Sequence, residues 1–176
     1  MLDPELQEEL KNANRTALVL HIAMLIEPLV YVIVALVLRE VSDFRGLEES
    51  PTGLALMRSL FILLSILVIP AIVLLKRVLF SPDRIVSGKA GMHGVAMAYT
   101  RAQMIVDALA AVPATLGFVM FLIGGSMDYL VMLSTASVAM LILLFPKSDT
   151  LENTVMDRML RGETVHMVRE EPDDNA

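Results

Sequence analysis

The chain contains no cysteine and no tryptophan, and only 5% of its residues are aromatic. The absence of cysteine excludes disulfides, thiolate metal sites and thiol nucleophiles. Charged residues make up 19% of the chain, below the roughly 25% of a typical soluble domain. The formal net charge of −6 argues against a nucleic-acid partner, because phosphate backbones bind basic surfaces.

Apolar sequence dominates instead, since 56% of the 176 residues are hydrophobic. These residues are concentrated in four blocks that are separated by charged stretches. A helix that crosses a hydrocarbon core of about 30 Å needs roughly 20 apolar residues. The sequence therefore predicts an all-α, integral membrane four-helix bundle in residues 17–145, and its transmembrane helices are expected at 17–38, 54–75, 95–123 and 129–145. The second helix is rich in Leu and Ile and is expected to face lipid most.

Proline and glycine mark the ends of these helices. Asp3-Pro4 and Ser50-Pro51 each place an N-capping residue before a proline at the first helical position. The first helix is therefore expected to begin at Pro4, and residues 1–16 form an amphipathic extension of it. A glycine pair before the fourth helix and a proline after it mark the two ends of that helix.

Lysine and arginine are distributed unequally between the two sides of the predicted bundle. Eleven lie on the side of the N-terminus, the middle loop and the C-terminal tail, and three lie on the other side. Basic loops stay preferentially in the cytoplasm. Both termini are therefore expected in the cytoplasm, and the charge bias and compactness of the chain lead us to expect a bacterial inner (cytoplasmic) membrane.

Residues 146–176 form an acidic tail on the cytoplasmic side. Asp149 and Glu152 have the spacing of a capping box, and the apolar residues that follow share one helical face. This pattern predicts a short amphipathic helix, which either packs under the bundle or docks a partner protein.

An internal repeat is suggested by the first and third helices. A shift of 86 residues aligns Arg15 with Arg101 and His21 with Asp107. The alignment predicts two related helical hairpins in the same orientation, a parallel repeat. Chance similarity between apolar helices is the alternative.

Two pairs of polar side chains lie inside the predicted spans. Glu27 is near the bilayer midplane, and Tyr31 follows one turn later on the same helical face. His21 and Asp107 lie level with each other, about 6 Å from the cytoplasmic boundary at 1.5 Å of rise per residue, and are expected to pair. Charged groups at such depths usually face the bundle interior or water. The four side chains are therefore candidates for a proton or cation site, and hydrogen bonding that only supports packing is the alternative.

Small residues recur along one face of the third helix, at Ala110, Ala111, Ala114 and Gly117. Small side chains let helices approach closely in lipid, where no hydrophobic driving force acts between them. This face is expected to form the tightest helix contact, either within the bundle or between subunits.

The run ALAAVPATLGFVMFLIGG at Ala108–Gly125 resembles the ion-binding helix of the proteolipid, subunit c, of rotary ATP synthases. That helix tends to read Ala-Leu-Ala-Glu-Ala, followed by small and aliphatic residues and a glycine. The resemblance implies ion transport through an intramembrane acid. Ala111 occupies the acidic position of that family, and Asp107 is one turn away. We interpret the likeness as one of small-residue helix packing.

No catalytic motif and no metal-ligand spacing among the three histidines is present. The protein is therefore expected to be non-enzymatic, without cofactor or metal, and to form an oligomer or serve as an accessory subunit of a membrane complex. Its expected partners are the lipid bilayer and copies of itself or other membrane subunits. The alternative is a proton- or cation-translocating membrane protein that uses an intramembrane carboxyl group.

Overall fold

The computed structural model describes residues 4–42, 44, 46, 51–80 and 92–146. Within these residues the chain is all-helical and contains no strand, as the sequence predicts. The four helices are α1 (Pro4–Ser42), α2 (Pro51–Leu79), α3 (Met92–Gly124) and α4 (Met127–Leu143). The amphipathic helix predicted in the C-terminal tail lies outside the described residues.

The helix ends follow from proline and glycine. Both α1 and α2 begin at a proline, Pro4 and Pro51, because the first position of a helix does not need an N–H donor. Gly125 has a φ of 65°, a conformation that glycine adopts without steric cost. The Gly125 N–H donates to the Phe121 carbonyl at 2.7 Å. This glycine therefore ends α3 and allows α4 to begin two residues later.

Three helices are long and apolar enough to cross a membrane by length and composition: Lys11–Ser42, Thr52–Leu79 and Met97–Gly124. They fall on the first three predicted spans. The fourth span corresponds to the apolar helix α4, which has 17 residues and is about 26 Å long at 1.5 Å per residue. Its crossing of the membrane stays a prediction.

Successive helices alternate in direction. At one end of the molecule the Phe80 ring, after α2, lies 5.7 Å from the Tyr99 ring near the start of α3. The Phe145 ring, after α4, lies 5.3 Å from the ring of His21 in α1. At the other end Gly46, after α1, lies against the backbone of Gly124. We call these the Phe145 end and the Gly125 end.

α3 is the central helix, because it packs against each of the other three. α4 packs on α3 and also along α1, whereas α1 and α2 make hardly any contact with each other among the described residues. In the most apolar stretch of α3, 50% of the residues are buried, compared with 17% in α1 and 17% in α2. The sequence predicts that α2 faces outward most, whereas in the structure α1 and α2 are equally exposed.

Two apolar clusters of the described residues form the core, and they lie at different heights. The cluster near the Phe145 end is built on Val68, Ile72, Val106, Ala110 and Leu141. The cluster near the Gly125 end is built on Ala35, Phe121 and Leu130. α3 contributes to both clusters, which is why its position determines where the polar side chains of the bundle lie.

Candidate functional site

His21 and Asp107 meet across α1 and α3, as predicted from their equal depth. His21 Nδ1 lies 3.0 Å from Asp107 Oδ1, and both side chains are almost completely buried. The contact has the distance of an ion pair without the alignment of a hydrogen bond, since His21 Nδ1 has no hydrogen-bond partner among the described residues. The pair joins the first hairpin of the chain to the second.

Gln103 extends this pair towards α4. Its Nε2 donates to Asp107 Oδ1 at 2.9 Å and to the Leu144 carbonyl at 3.3 Å. The amide thereby satisfies a carbonyl at the end of α4 that has no partner within its own helix. We call His21, Gln103 and Asp107, with the Leu144 carbonyl, the His21 cluster. Gln103 was not predicted as a site residue, although its position one turn before Asp107 is a usable signal.

Three atoms of the His21 cluster have no hydrogen-bond partner in the described part of the chain. They are His21 Nδ1, His21 Nε2 and Asp107 Oδ2, and all three are buried. The rings of His21 and Phe145 are nearly perpendicular, with an interplanar angle of 84°. The three side chains of the cluster are all buried, so the cluster is enclosed within the bundle.

Glu27 and Tyr31 form the second polar site, and a hydrogen bond joins their side chains. The Tyr31 hydroxyl donates to Glu27 Oε1, and its ring stacks on Phe118 of α3 at 4.9 Å between centroids. Thr115 of α3 lies beside the Tyr31 hydroxyl, and its own hydroxyl donates to the Ala111 carbonyl at 3.4 Å. Glu27 is six residues beyond His21, about 9 Å further along α1 at 1.5 Å per residue.

The second site is open on one side, unlike the His21 cluster. Glu27 is only partly buried, and Thr115 is exposed. Ala23, one turn before Glu27, and Ala108, two turns before Thr115, are exposed on the same edges of α1 and α3. We call these four residues, with Tyr31, the Glu27 seam.

The predicted small-residue face of α3 is buried inside the chain. Ala110, Ala111, Ala114 and Gly117 are all buried. A Cβ atom at Gly117 would lie 3.1 Å from the Leu133 Cβ of α4 and within 3.3 Å of the α4 backbone. Of the two predicted roles, contact within the bundle is the one that Gly117 fulfils.

Comparison with known proteins gave no match. No family model, no curated protein and no solved structure is similar to this chain. The resemblance to the ATP synthase proteolipid therefore stays an expectation. The geometry of the two polar sites is therefore the basis for any statement about their chemistry.

Two further polar contacts were not predicted. The Ser137 hydroxyl of α4 donates to the Ala110 carbonyl of α3 at 2.6 Å. The Arg58 guanidinium lies 5.0 Å from the centre of the Tyr129 ring, a cation–π contact between α2 and α4. Arg58 and Tyr129 both lie near the start of their helices, so this contact is at the Gly125 end of the bundle.

The polar sites have limited chemical options. Within the described residues no group of three or more His, Asp, Glu or Cys side chains is placed to hold a metal ion. Met24 of α1, between His21 and Glu27, packs against the apolar cluster of Val106 and Ala110. The His21 cluster and the Glu27 seam are therefore separate sites, one enclosed and one facing outward.

Proposed function

We propose that the protein is an integral membrane subunit without catalytic activity, which works by associating with other membrane helices. The observation that carries this proposal is the partly exposed carboxyl of Glu27 on the outer surface of α1, deep within an apolar helix. A charged group at the bilayer centre costs about 2.5–3.5 kcal/mol on insertion scales. A neighbouring helix that covers the carboxyl and hydrogen-bonds to it would recover part of this cost.

The exposed faces of α1 and α2 also support the proposal. Both helices present large aliphatic side chains outward, among them Ile33 at 59% and Leu63 at 54% exposure. Such surfaces are stable in lipid or against other apolar helices, and not in water. Because α1 and α2 each bury only one face, both have room for a partner.

The proposed location is the inner membrane of a bacterium, with both termini in the cytoplasm. Lys11, Lys76 and Arg101 are all near the Phe145 end of their helices. Basic residues beside the ends of transmembrane helices favour the cytoplasmic side. The Phe145 end is therefore assigned to the cytoplasm in this proposal.

Photocrosslinking in native membranes tests the association. A photoreactive amino acid is placed at Ala23 or Ala108, in the Glu27 seam, and in a control at Ala136, which is exposed on α4. The proposal expects a discrete protein adduct from the seam positions. If all three positions crosslink only to lipid and the chain purifies as a lone monomer in mild detergent, the proposal fails.

Proton or cation transport through Glu27 is the second candidate. It is favoured by two polar sites at two depths, the Glu27 carboxyl on α1 and the His21–Asp107 pair between α1 and α3. The apolar packing of Met24 between them weighs against a continuous path. Flux into proteoliposomes separates the two functions, because transport requires a loss of flux in Glu27→Gln, whereas a subunit role expects no flux in the original chain.

A further inference from the structure

The Glu27 seam has the chemistry of a docking site for a positively charged side chain. Glu27 Oε1 accepts the hydroxyl of Tyr31, and Tyr31 is the only hydrogen-bond partner of Glu27 in the described part of the chain. Stacking on Phe118 fixes the Tyr31 ring, and through it the carboxyl. No described residue donates to the second carboxylate oxygen, which is therefore open to a donor from another helix.

Small residues beside Glu27 leave space for the backbone of another helix. Ala23 and Ala108 are both exposed, and neither carries a side chain beyond Cβ. Small residues at a membrane helix surface permit close approach, which strengthens packing and interhelical hydrogen bonds. A helix lying along the seam can therefore bring a side chain directly to Glu27.

Among the described residues, no lysine or arginine lies at the depth of Glu27. α4 contains no basic residue. The basic residues of the other three described helices lie towards the helix ends: Lys11, Arg15, Arg39, Arg58, Lys76, Arg77 and Arg101. A second copy in the same orientation would place its own Glu27 at the same height. Two carboxylates facing each other repel, so a second copy is a poor occupant of the seam.

We infer that the Glu27 seam receives a transmembrane helix of another protein, which carries an arginine or lysine near the middle of its span and pairs it with Glu27. This inference rests on the proposed subunit function and specifies the partner's chemistry. A charge-assisted hydrogen bond is roughly twice as strong as a neutral one. When the two opposite charges pair in the membrane interior, each neutralises the other, and both helices are stabilised there.

Fluorescence energy transfer in vesicles tests the inference with the full chain. The chain has no cysteine, so Glu8→Cys gives a single labelling site near the Phe145 end. The acceptor is a synthetic leucine–alanine transmembrane peptide with one central arginine, and the comparison peptide has leucine at that position. We expect the arginine peptide to bind at least about tenfold more tightly, which equals about 1.4 kcal/mol.

Variants of the chain locate the binding. Glu27→Gln is expected to remove the tenfold preference, whereas Glu40→Gln, the same change at an exposed position near the end of α1, keeps it. Ala108→Leu is expected to block binding by steric bulk without altering the carboxyl, and Ala136→Leu on α4 is its control. The melting temperature of each variant in detergent confirms that it is folded.

The outcomes are distinct. Equal binding of the arginine and leucine peptides, or an arginine preference that survives both Glu27→Gln and Ala108→Leu, overturns the inference. Energy transfer between labelled copies of the chain itself that is lost with Glu27→Gln would assign the seam to a second copy, and overturns it too. If native photocrosslinks from the seam persist unchanged in Glu27→Gln, the subunit function stands and only the partner's chemistry is wrong.

Discussion

The two hairpins of the chain have similar apolar content but pack differently. α3 and α4 are joined by two residues, Gly125 and Ser126, and contact each other along their length. α1 and α2 are joined by eight residues and hardly touch among the described residues. The two helices of the second hairpin thus pack on each other, whereas those of the first hairpin pack on α3 and not on each other.

Side-chain size explains this difference. α3 presents Ala110, Ala114 and Gly117 as buried residues, and at Gly117 the α4 backbone comes within van der Waals contact. α2 has large Leu and Ile side chains over most of its surface. In lipid, where apolar burial does not drive association, close approach of small residues decides which helices pair. A parallel repeat, if present, is therefore not matched by equivalent packing of its two halves.

The largest loss of stability is expected when the His21–Asp107 contact between α1 and α3 is broken. His21→Leu leaves the buried carboxylate of Asp107 without its ionic partner, and breaking a buried pair costs about 3–5 kcal/mol. Unfolding in detergent with a denaturant titration measures the change. The double variant His21→Leu with Asp107→Leu is expected to regain most of the lost stability, because no unpaired charge is left. A double variant as unstable as the single one would contradict the ionic role.

A smaller loss is expected within the tight hairpin. Gly117→Val places a branched side chain where even a Cβ atom approaches Leu133 at 3.1 Å. Overpacking of this kind costs about 1–3 kcal/mol. The matched change Ala55→Val, on the exposed face of α2, is expected to leave the free energy of unfolding almost unaltered. Equal effects at the two positions would show that the hairpins are packed alike.

The smallest effect is expected from the hydroxyl between α3 and α4. Ser137→Ala removes its hydrogen bond to the Ala110 carbonyl, a contribution of about 0.6 kcal/mol on average in membrane proteins. Thr135→Ala is the control, since that hydroxyl donates only to the Val131 carbonyl of its own helix. A stability loss in Thr135→Ala as large as that in Ser137→Ala would show that the hydrogen bond from Ser137 to the Ala110 carbonyl does not stabilise the hairpin.

Much of the fold could be predicted because its signals are local. Apolar length and the prolines at Pro4 and Pro51 mark the helices without knowledge of their neighbours. His21 and Asp107 could be paired because both helices run in the same direction, so equal depth suffices. The same reasoning placed Glu27 beside Tyr31, since four residues in a helix bring side chains together.

The remaining features depend on packing that the sequence does not encode locally. The bond from Gln103 to the Leu144 carbonyl requires knowing where α4 ends relative to α3. The Arg58–Tyr129 contact requires knowing that the start of α2 lies beside the start of α4. The near absence of contact between α1 and α2 was not predicted either, because apolar faces of similar composition give no indication of which of them meet.

Spin-label accessibility in liposomes measures whether α3 forms the core of the bundle while α1 and α2 face lipid. Labels are placed at Ile33→Cys and Leu63→Cys, which are exposed, and at Met120→Cys, where the native side chain is 1% exposed. We expect the first two to collide with oxygen and not with a water-soluble nickel complex, and the third to collide with neither. High nickel accessibility at Ile33 and Leu63, or oxygen accessibility at Met120 equal to theirs, would contradict this arrangement.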